Sequence, residues 1–557
     1  MKFPKHRFPA SNCLRSLRLG KTLAISGVFL YLTFLLFFTK SYWPASGFFS
    51  PFQQIFAPSQ TTPPPHGTSP TNISHLVFGL SGSLRTWRHR KAYIESWWRP
   101  SVTRGYIYLD AAPTNEFLPW SAASPPYRVF DDISKIVEES RHVAPIQVRM
   151  LHAILEVHRE GDQGVRWYVM GDDDSIFFVD NWVDVLAKYD HTKYIYIGGH
   201  SESLQSNFKN SFDQGYGGGG IALSYPLISA MVKDLEAFDF PDKSAIWSSG
   251  LVVPFYQQWQ MAFKICLPQE FLTNTDNFLR ITQCGHDNIY IYIFVEWMQI
   301  DLKGDISGFL SSHPQAPLMS LHHFDRVDPI FPSMDRFQSV KHLLKSAKVD
   351  QSRLLQQTIC YHRPTNWSFS VSWGYSAHIY EKVFFCYKSS ADYNLKNEIH
   401  NDTINDPNMT LQLHEVPLVE GFDVEGSSEV LPRSILKRPL ETFRPWKQQR
   451  PPYYMFNTRL LPFKDPCNAP HVFFMESVEN FGGNQIVSTY VRSSPRGLPT
   501  CSSGNHSANY ISTVRVLSPA TKLVQIDRSE CCDIMQSSDS NMVEVKFRAC
   551  MDDEILG

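Results

Sequence analysis

Residues 167–178 read WYVMGDDDSIFF, and this stretch decides which fold the surrounding chain can build. An apolar run is followed by three consecutive carboxylates, Asp172, Asp173 and Asp174, and then by a second apolar run. The first run has the composition of a buried strand. In open α/β sheets the ligand crevice borders the carboxyl ends of the strands. The sequence therefore predicts that the three carboxylates lie at such an edge.

Three adjacent carboxylates repel one another, and no basic residue stands immediately beside them. A bound divalent cation would offset the repulsion between the carboxylates. Hard oxygen ligands suit Mg²⁺ or Mn²⁺, which can in turn bridge a diphosphate. A surface turn with an acidic helix cap is the alternative, but the apolar chain on both sides favours a cation site.

Strands and helices alternate on both sides of this stretch. The predicted strands are 75–80, 106–109, 165–170 and 193–197. The predicted helices are 85–98, one that opens at Pro145, and 226–238. This alternation predicts an α/β domain with a mostly parallel sheet.

Two further segments are suited to ligand binding. Residues 215–220 read GYGGGG, and successive glycines permit positive φ and a close approach of ligand to backbone, although a flexible loop is the alternative. Residues 320–325 read SLHHFD, and an imidazole can join carboxylates around Mn²⁺, although surface or core histidines are the alternative. Neighbouring side chains of an extended chain point to opposite faces. We therefore expect at most one of His322 and His323 to be a ligand.

The N-terminal region predicts a membrane anchor. Residues 22–39 are uncharged and mostly apolar, and as a helix they reach about 27 Å. Basic residues precede them and the first acidic residue is Glu95, so the positive-inside rule predicts a cytosolic tail at 1–21 and a lumenal remainder. A cleaved signal peptide is the alternative. The proline-rich residues 40–72 predict an extended stem.

Composition narrows the class of protein. The 557 residues include 52 basic and 54 acidic ones, a formal net charge of −2, which argues against a nucleic-acid partner. Nine of the ten cysteines lie beyond the predicted anchor, and there are acceptor sites for N-glycosylation at Asn72, Asn366, Asn401, Asn408 and Asn505. These features predict a disulfide-bonded glycoprotein of an oxidising lumen, with its pairing unreadable from sequence.

The C-terminal third has a different pattern. Residues 387–465 are polar and rich in proline, and they predict an irregular connection. Short strands are predicted after it, which indicates a small β-rich module over 466–557; they are 471–475, 486–492, 510–516, 522–526 and 542–547.

Five segments together resemble a known family. They are HLVFGLSGSLRTWRHRKAYIESWWRP at 75–100, RWYVMGDDDSIFFVDNW at 166–182, YGGGGIALSYPL at 216–227, GDISGFLSSHPQAPLMSLHHFDRVDPIFP at 304–332 and NWSFSVSWGYSAHIY at 366–380. With these segments the chain resembles the plant Fringe-related proteins of the β-1,3-glycosyltransferase superfamily, from about residue 75 to the C-terminus.

The resemblance implies a GT-A-like fold over 73–386 and a single-pass type II protein of the Golgi membrane. It implies an inverting, metal-dependent enzyme that moves a hexose or hexosamine from a UDP-sugar to a glycan or glycoprotein acceptor, with a β-1,3 linkage. Donor binding is implied for Asp172, Asp173, Gly217, Gly218 and Gly219. Mn²⁺ binding is implied for Asp172 and Asp174 with either His322 or His323.

Residues 244–300 depart from the family where its general base is expected. Asp287 is the nearest candidate for that base. A translated intron or an alternative exon would account for the mismatch. The alternative function is therefore a catalytically silent Golgi protein that binds a nucleotide-sugar or glycan, or serves as the partner of an enzyme.

Overall fold

A computed structural model describes residues 69–134, 145–209, 215–237, 291–294, 300–312, 317–381, 430–446, 451–461, 466–501, 507–522, 530–536, 541–551 and 554. All of them belong to the unit Pro63–Gly557. The predicted tail, the predicted anchor at 22–39 and nearly all of the stem lie outside the described residues, as do Asp287 and most of 244–300. Among the described residues, no helix combines the length and hydrophobicity that crossing a membrane requires.

The N-terminal part is built on a seven-stranded sheet. Its strands are β1 (Leu76–Ser81), β2 (Gly105–Leu109), β3 (Tyr127–Val129), β4 (Trp167–Asp172), β6 (Ile195–Gly198), β7 (Ile221–Ser224) and β8 (Ile291–Phe294), in the order β3-β2-β1-β4-β7-β6-β8. Neighbours are parallel except around β7, which is antiparallel to β4 and β6. The prediction of an α/β domain is confirmed, and its sheet is mixed and Rossmann-like.

Eight helices accompany the strands in the part of the chain that the structure describes. They are α1 (Leu84–Trp97), α2 (Pro145–Arg159), α3 (Val179–Leu186), α4 (Leu204–Lys209), α5 (Tyr225–Ala237), α6 (Ser307–Leu310), α7 (Arg336–Val349) and α8 (Arg433–Leu436). The start of α1 is fixed by a capping box, in which the side chains of Ser83 and Thr86 each bond the other's backbone N–H. This cap begins α1 directly after β1, beside the edge of the sheet.

The strand order reverses between β1 and β4. From β1 the sheet continues through β2 and β3, and from β4 it continues through β7 in the other direction. Such a reversal opens a crevice at the carboxyl ends of the two strands. Ser81 at the end of β1 is paired with Asp172 at the end of β4, so the acidic run lies at this crevice.

Two short strand pairs lie outside the main sheets. β5 (Ile176–Phe177) pairs antiparallel with β10 (Ser320–Leu321), and β9 (Leu302–Gly304) pairs antiparallel with β14 (Phe443–Pro445). The second pair corrects the prediction of an irregular connection at 387–465. Within its described portions, 430–446 and 451–461, the chain forms α8 and β14 and docks on residues that precede it by more than a hundred positions.

The C-terminal part is an eight-stranded sheet. Its strands are β11 (Gln357–His362), β12 (Trp367–Ser372), β13 (Ser376–Tyr380), β15 (His471–Asn480), β16 (Gln485–Arg492), β17 (Thr513–Pro519), β18 (Cys531–Gln536) and β19 (Met542–Arg548), in the order β11-β12-β13-β15-β16-β17-β19-β18. The edge strands β11 and β18 contact each other, and a disulfide between Cys360 and Cys532 joins them. The sheet therefore nearly closes into a barrel.

A β-rich C-terminal region was predicted, but its sheet begins at β11, earlier in the chain than residue 466. β13 pairs with β15 across the connection, and such long-range pairing leaves no local sequence signal. β18 was not predicted, and the strand predicted at 522–526 lies mostly outside the described residues. Two more disulfides, Cys467–Cys501 and Cys531–Cys550, support the prediction of a disulfide-bonded protein.

Candidate functional site

Asp173 is held by two side chains of α1. Its Oδ1 accepts a hydrogen bond from Arg90 Nη1 at 2.7 Å, and its Oδ2 accepts one from Thr86 Oγ1. Its backbone N–H donates to the carbonyl of Ser81 at the end of β1. Because each carboxylate oxygen accepts a hydrogen bond from α1, Asp173 fixes the acidic run against this helix.

Asp172 and Asp174 converge on His322. Asp174 Oδ1 lies 3.0 Å from His322 Nε2, and Asp172 Oδ2 lies 3.7 Å from the same nitrogen. The second oxygen of Asp174 lies 2.9 Å from Arg90 Nη2. Asp174 and His322 are almost completely buried, whereas the side chain of Asp172 is 24% exposed. The three side chains thus meet at one point, and Asp172 is the member of the three that reaches solvent.

The pairing of β5 with β10 brings His322 to the acidic run. Leu321 is paired with Ile176, two residues after Asp174, and the N–H of Phe178 donates to the carbonyl of Met319. The register therefore carries His322, the residue after Leu321, to the carboxylates.

His323 lies on the same side as His322, contrary to the expectation from an extended chain. Its φ is +61°, so the backbone turns at this residue instead of alternating faces. The two imidazole rings lie 3.7 Å apart between centroids. A ring nitrogen of His323, one of His322 and a carboxylate oxygen of Asp174 all lie within 4.8 Å of one another.

The glycine run packs directly against this cluster. Gly217–Gly219 form a buried 3₁₀ turn. A Cβ at Gly218 would lie 2.4 Å from His322 Cε1 and 2.9 Å from Asp172 Oδ2, so only glycine fits there. The turn is tied to the other two segments, because Ser175 Oγ donates to the carbonyl of Gly218 and Ser320 Oγ donates to that of Gly219. The three segments singled out in the sequence therefore form one site.

The buried charges shift each other's pKa values. Burial raises the pKa of Asp172 to about 7, helped by Asp174 and opposed by His322. Burial opposes ionisation of Asp174 as well, but the imidazole of His322 and then Arg90 outweigh it and lower the pKa of Asp174. Burial also works against a charge on His322, and the carboxylates of Asp174 and Asp172 overcome it, so the pKa of His322 is raised to about 9. The carboxylates thus favour a positive charge at the position of His322 Nε2.

The donor set fits a divalent cation. Asp172, Asp173, Asp174 and Asp325 lie around Arg90, and Arg326 also contacts Asp325 at 3.5 Å. Four carboxylates thus face two guanidinium groups, which leaves a net charge of −2 when the carboxylates are ionised and the histidines are neutral. Among the described residues, Asp172 Oδ1 and the Nδ1 atoms of His322 and His323 are buried without a hydrogen-bond partner. Carboxylate oxygens combined with imidazole suit Mn²⁺, and unpaired buried polar atoms are costly unless a ligand satisfies them.

Sequence reasoning missed Arg90, Thr86 and Asp325. Arg90 donates to Asp325 through Nε and Nη2, at 3.3 and 3.1 Å, and so joins the acidic run to the segment that follows the two histidines. Thr86 and Arg90 are four residues apart on α1 and hence share one helix face. That spacing, in a helix that begins directly after a buried strand, is the sequence pattern from which Thr86 and Arg90 could have been identified as neighbours of the site.

Asp287, the candidate general base, lies outside the described residues, and the structure therefore gives it no position.

Comparison with protein families gives two matches. Residues 131–253, which include the acidic run and the glycine run, match a family described as Fringe-like. Residues 278–398 and 408–532, which include the histidine segment, match a family described as a protein of unknown function, DUF604. No curated protein matches the chain in a search of such proteins.

Proposed function

The chain belongs to the plant Fringe-related family, with a Fringe-like domain followed by a DUF604 region, and on this premise we propose that it is a glycosyltransferase. It moves a hexose or hexosamine from a UDP-sugar to a glycan or glycoprotein acceptor. The reaction is metal-dependent and inverting, with a β-1,3 linkage, in a GT-A-like domain.

One observation carries this proposal. Asp172, Asp174 and His322 converge at the crevice where the strand order reverses, and they are surrounded by buried polar atoms without partners among the described residues. A crevice at this place in an α/β sheet is where nucleotides bind. In an ion-pair cluster with a purely structural role, buried carboxylate and imidazole atoms without partners are an unexplained energetic cost. In a binding site for a cation and a diphosphate, the ligand satisfies these atoms.

The residues around the cluster prepare it for binding. Arg90 and Thr86 hold Asp173, and the charges of His322 and then Arg90 favour the ionised form of Asp174, so the carboxylates are positioned by residues of the protein itself. Gly218 lets the backbone of the glycine run lie directly against His322 and Asp172. Asp172, Asp174 and the histidines are the proposed ligands of Mn²⁺, which when bound neutralises charge on the departing nucleoside diphosphate.

Inverting attack by an acceptor hydroxyl requires a general base within hydrogen-bond reach. Asp287 remains the proposed base on the sequence alone.

We also propose that the protein resides in the Golgi membrane as a single-pass type II protein, with 22–39 as its anchor. The apolar run behind a basic tail supports this orientation. The disulfides Cys360–Cys532, Cys467–Cys501 and Cys531–Cys550 support an oxidising lumen for the rest of the chain.

The proposal is tested by UDP release from a panel of UDP-sugars, with Mn²⁺ or with EDTA. We expect release from at least one donor with Mn²⁺, none with EDTA, and a loss of at least about a hundredfold in Asp174→Asn, since this change removes a charged proposed ligand while keeping its shape. The matched control is Asp184→Asn, which removes an exposed carboxylate paired with Lys522 and should leave release unchanged. Release by Asp174→Asn at the wild-type rate would contradict the metal site.

The catalytically silent alternative has one observation in its favour. The Fringe-like match ends at residue 253 and the DUF604 match begins at 278, within the stretch where the base is expected. Mn²⁺-dependent binding of UDP, combined with no release from any donor in the presence of glycan acceptors, would support this alternative and contradict the transferase.

A further inference from the structure

Trp446 reaches the candidate site from a distant part of the chain. It follows β14, whose residues Phe443 and Pro445 pair with Gly304 and Leu302 of β9. The N–H of Trp446 donates to the carbonyl of Asp301 at 3.0 Å, one residue beyond that pairing. The backbone on both sides of the contact is therefore held in register.

Side chains also fix this docking. Thr442 Oγ1 donates to the carbonyl of Asp305 and accepts from the N–H of Gly308. A Cβ at Gly308 would lie only 2.0 Å from the carbonyl oxygen of Leu440, so the two segments approach as closely as glycine allows. Phe443 is almost completely buried and packs edge-on against Phe309. The position of Trp446 is thus set by packing rather than by a loose connection.

The indole of Trp446 stacks on His323. The ring centroids are 5.2 Å apart and the planes differ by 19°. His323 also lies against His322, with 3.7 Å between the ring centroids and 32° between the planes, and His322 in turn contacts Asp174. His323 Nδ1 is buried and has no hydrogen-bond partner among the described residues.

We propose that Trp446 is a positioning residue for the metal site: it holds the imidazole of His323 so that a ring nitrogen stays beside Asp174 and His322. This inference rests on the proposed function, because it assumes that the cluster binds a divalent cation. The imidazole of His323 also hydrogen-bonds the backbone of Ile300. Loss of the indole contact gives the ring more rotational freedom, and restricting it again costs conformational entropy when the ion binds. Trp446 lowers that cost, and it adds a residue from the second DUF604 range, 408–532, to the histidines that the first range already contributes.

The probe is Mn²⁺ alone, measured with the full-length chain in detergent by the EPR signal of the free ion. Residues that orient metal ligands typically change affinity 10- to 100-fold when replaced. We expect the Mn²⁺ dissociation constant to rise at least about tenfold in Trp446→Leu, and in Trp446→Met, which keeps more volume and serves where leucine prevents folding. Trp446→Phe retains a stacking face and should stay within about threefold of the wild type.

Two control variants distinguish a failure of this inference from a failure of the proposed function. Tyr453→Leu removes a ring of the same segment that packs on Tyr454, and it should leave Mn²⁺ affinity unchanged. Asp174→Asn should abolish binding.

Wild-type affinity in folded Trp446→Leu or Trp446→Met, with binding lost in Asp174→Asn, would overturn the role of Trp446 and leave the proposed function standing. Equal weakening by Trp446→Phe and Trp446→Leu would overturn the stacking argument. Absence of Mn²⁺ binding by the wild type would overturn both proposals.

Discussion

Arg90 stabilises carboxylates that would otherwise repel one another inside the protein. Its guanidinium contacts Asp173, Asp174 and Asp325 at 2.7, 2.9 and 3.1 Å, and its side chain is only 15% exposed. Removing one partner of a buried ion pair typically costs about 3–5 kcal/mol, because the remaining charge is left uncompensated.

We therefore expect Arg90→Gln to lower the free energy of unfolding by about 3 kcal/mol in urea titrations. The matched control is Arg88→Gln on the same helix. The side chains of Arg88 and Glu116 are 60% and 48% exposed, and the attraction of such an exposed pair is screened by solvent, so its loss should have little effect on stability. Equal effects of the two substitutions would show that Arg90 is an ordinary surface charge.

At the scale of single residues, the sequence identified most of the cluster but not its arrangement. The acidic run and the two histidines stand out as residue types. The turn at His323 depends on one backbone torsion, however, and the partner role of Arg90 depends on the docking of α1 beside β4. Neither is visible from the spacing of the residues.

Among the structural elements, β11 and β18 decide whether the C-terminal sheet is open or closed. They are its two edges, and Cys360 and Cys532 link them across 172 residues of chain. A crosslink that closes so long a loop restricts the unfolded chain strongly and contributes on the order of 4 kcal/mol.

We expect the double substitution Cys360→Ser and Cys532→Ser to reduce the free energy of unfolding by about 3–5 kcal/mol. Amide exchange should accelerate in β11 and β18 more than in β15 and β16, which keep strand partners on both sides. The measurement is hydrogen exchange with mass spectrometry, beside urea unfolding. Uniform acceleration through the sheet would contradict a closure made at these edges.

The elements that the sequence predicted best are β1, β4, α1 and α2, where a buried apolar strand or a capped helix is a local pattern. The elements that it missed, or assigned to the wrong region, depend on partners far along the chain. β14 exists because it pairs with β9, and β11–β13 belong to the C-terminal sheet because β13 pairs with β15.

For the whole molecule, buried histidines make stability depend on pH. His378 is fully buried, and burial followed by the charge of Arg459 lowers its pKa to about 3. In the unfolded chain the value is about 6.5. Between these two values the unfolded state binds the proton more strongly, so stability is lost as pH falls from 6.5 towards 3.

The contribution of His378 to the free energy of unfolding should therefore fall by about 2 kcal/mol from pH 7 to pH 5. Asp172, whose pKa is raised to about 7, contributes in the opposite direction over the same range. The stability of His378→Gln relative to the wild type should therefore rise by about 2 kcal/mol from pH 7 to pH 5, measured by urea unfolding of both proteins in matched buffers. If the variant keeps the full pH dependence of the wild type, the dependence originates elsewhere.

The central claim for the whole molecule is that the acidic run and the histidine segment bind a cation that in turn holds a nucleoside diphosphate. Its most direct test is calorimetric binding of UDP to the full-length chain, with Mn²⁺ and with EDTA. We predict binding with Mn²⁺, loss of binding in EDTA and in Asp174→Asn, and unchanged binding in Asp184→Asn. Equally tight UDP binding in EDTA, or by Asp174→Asn, would contradict the claim.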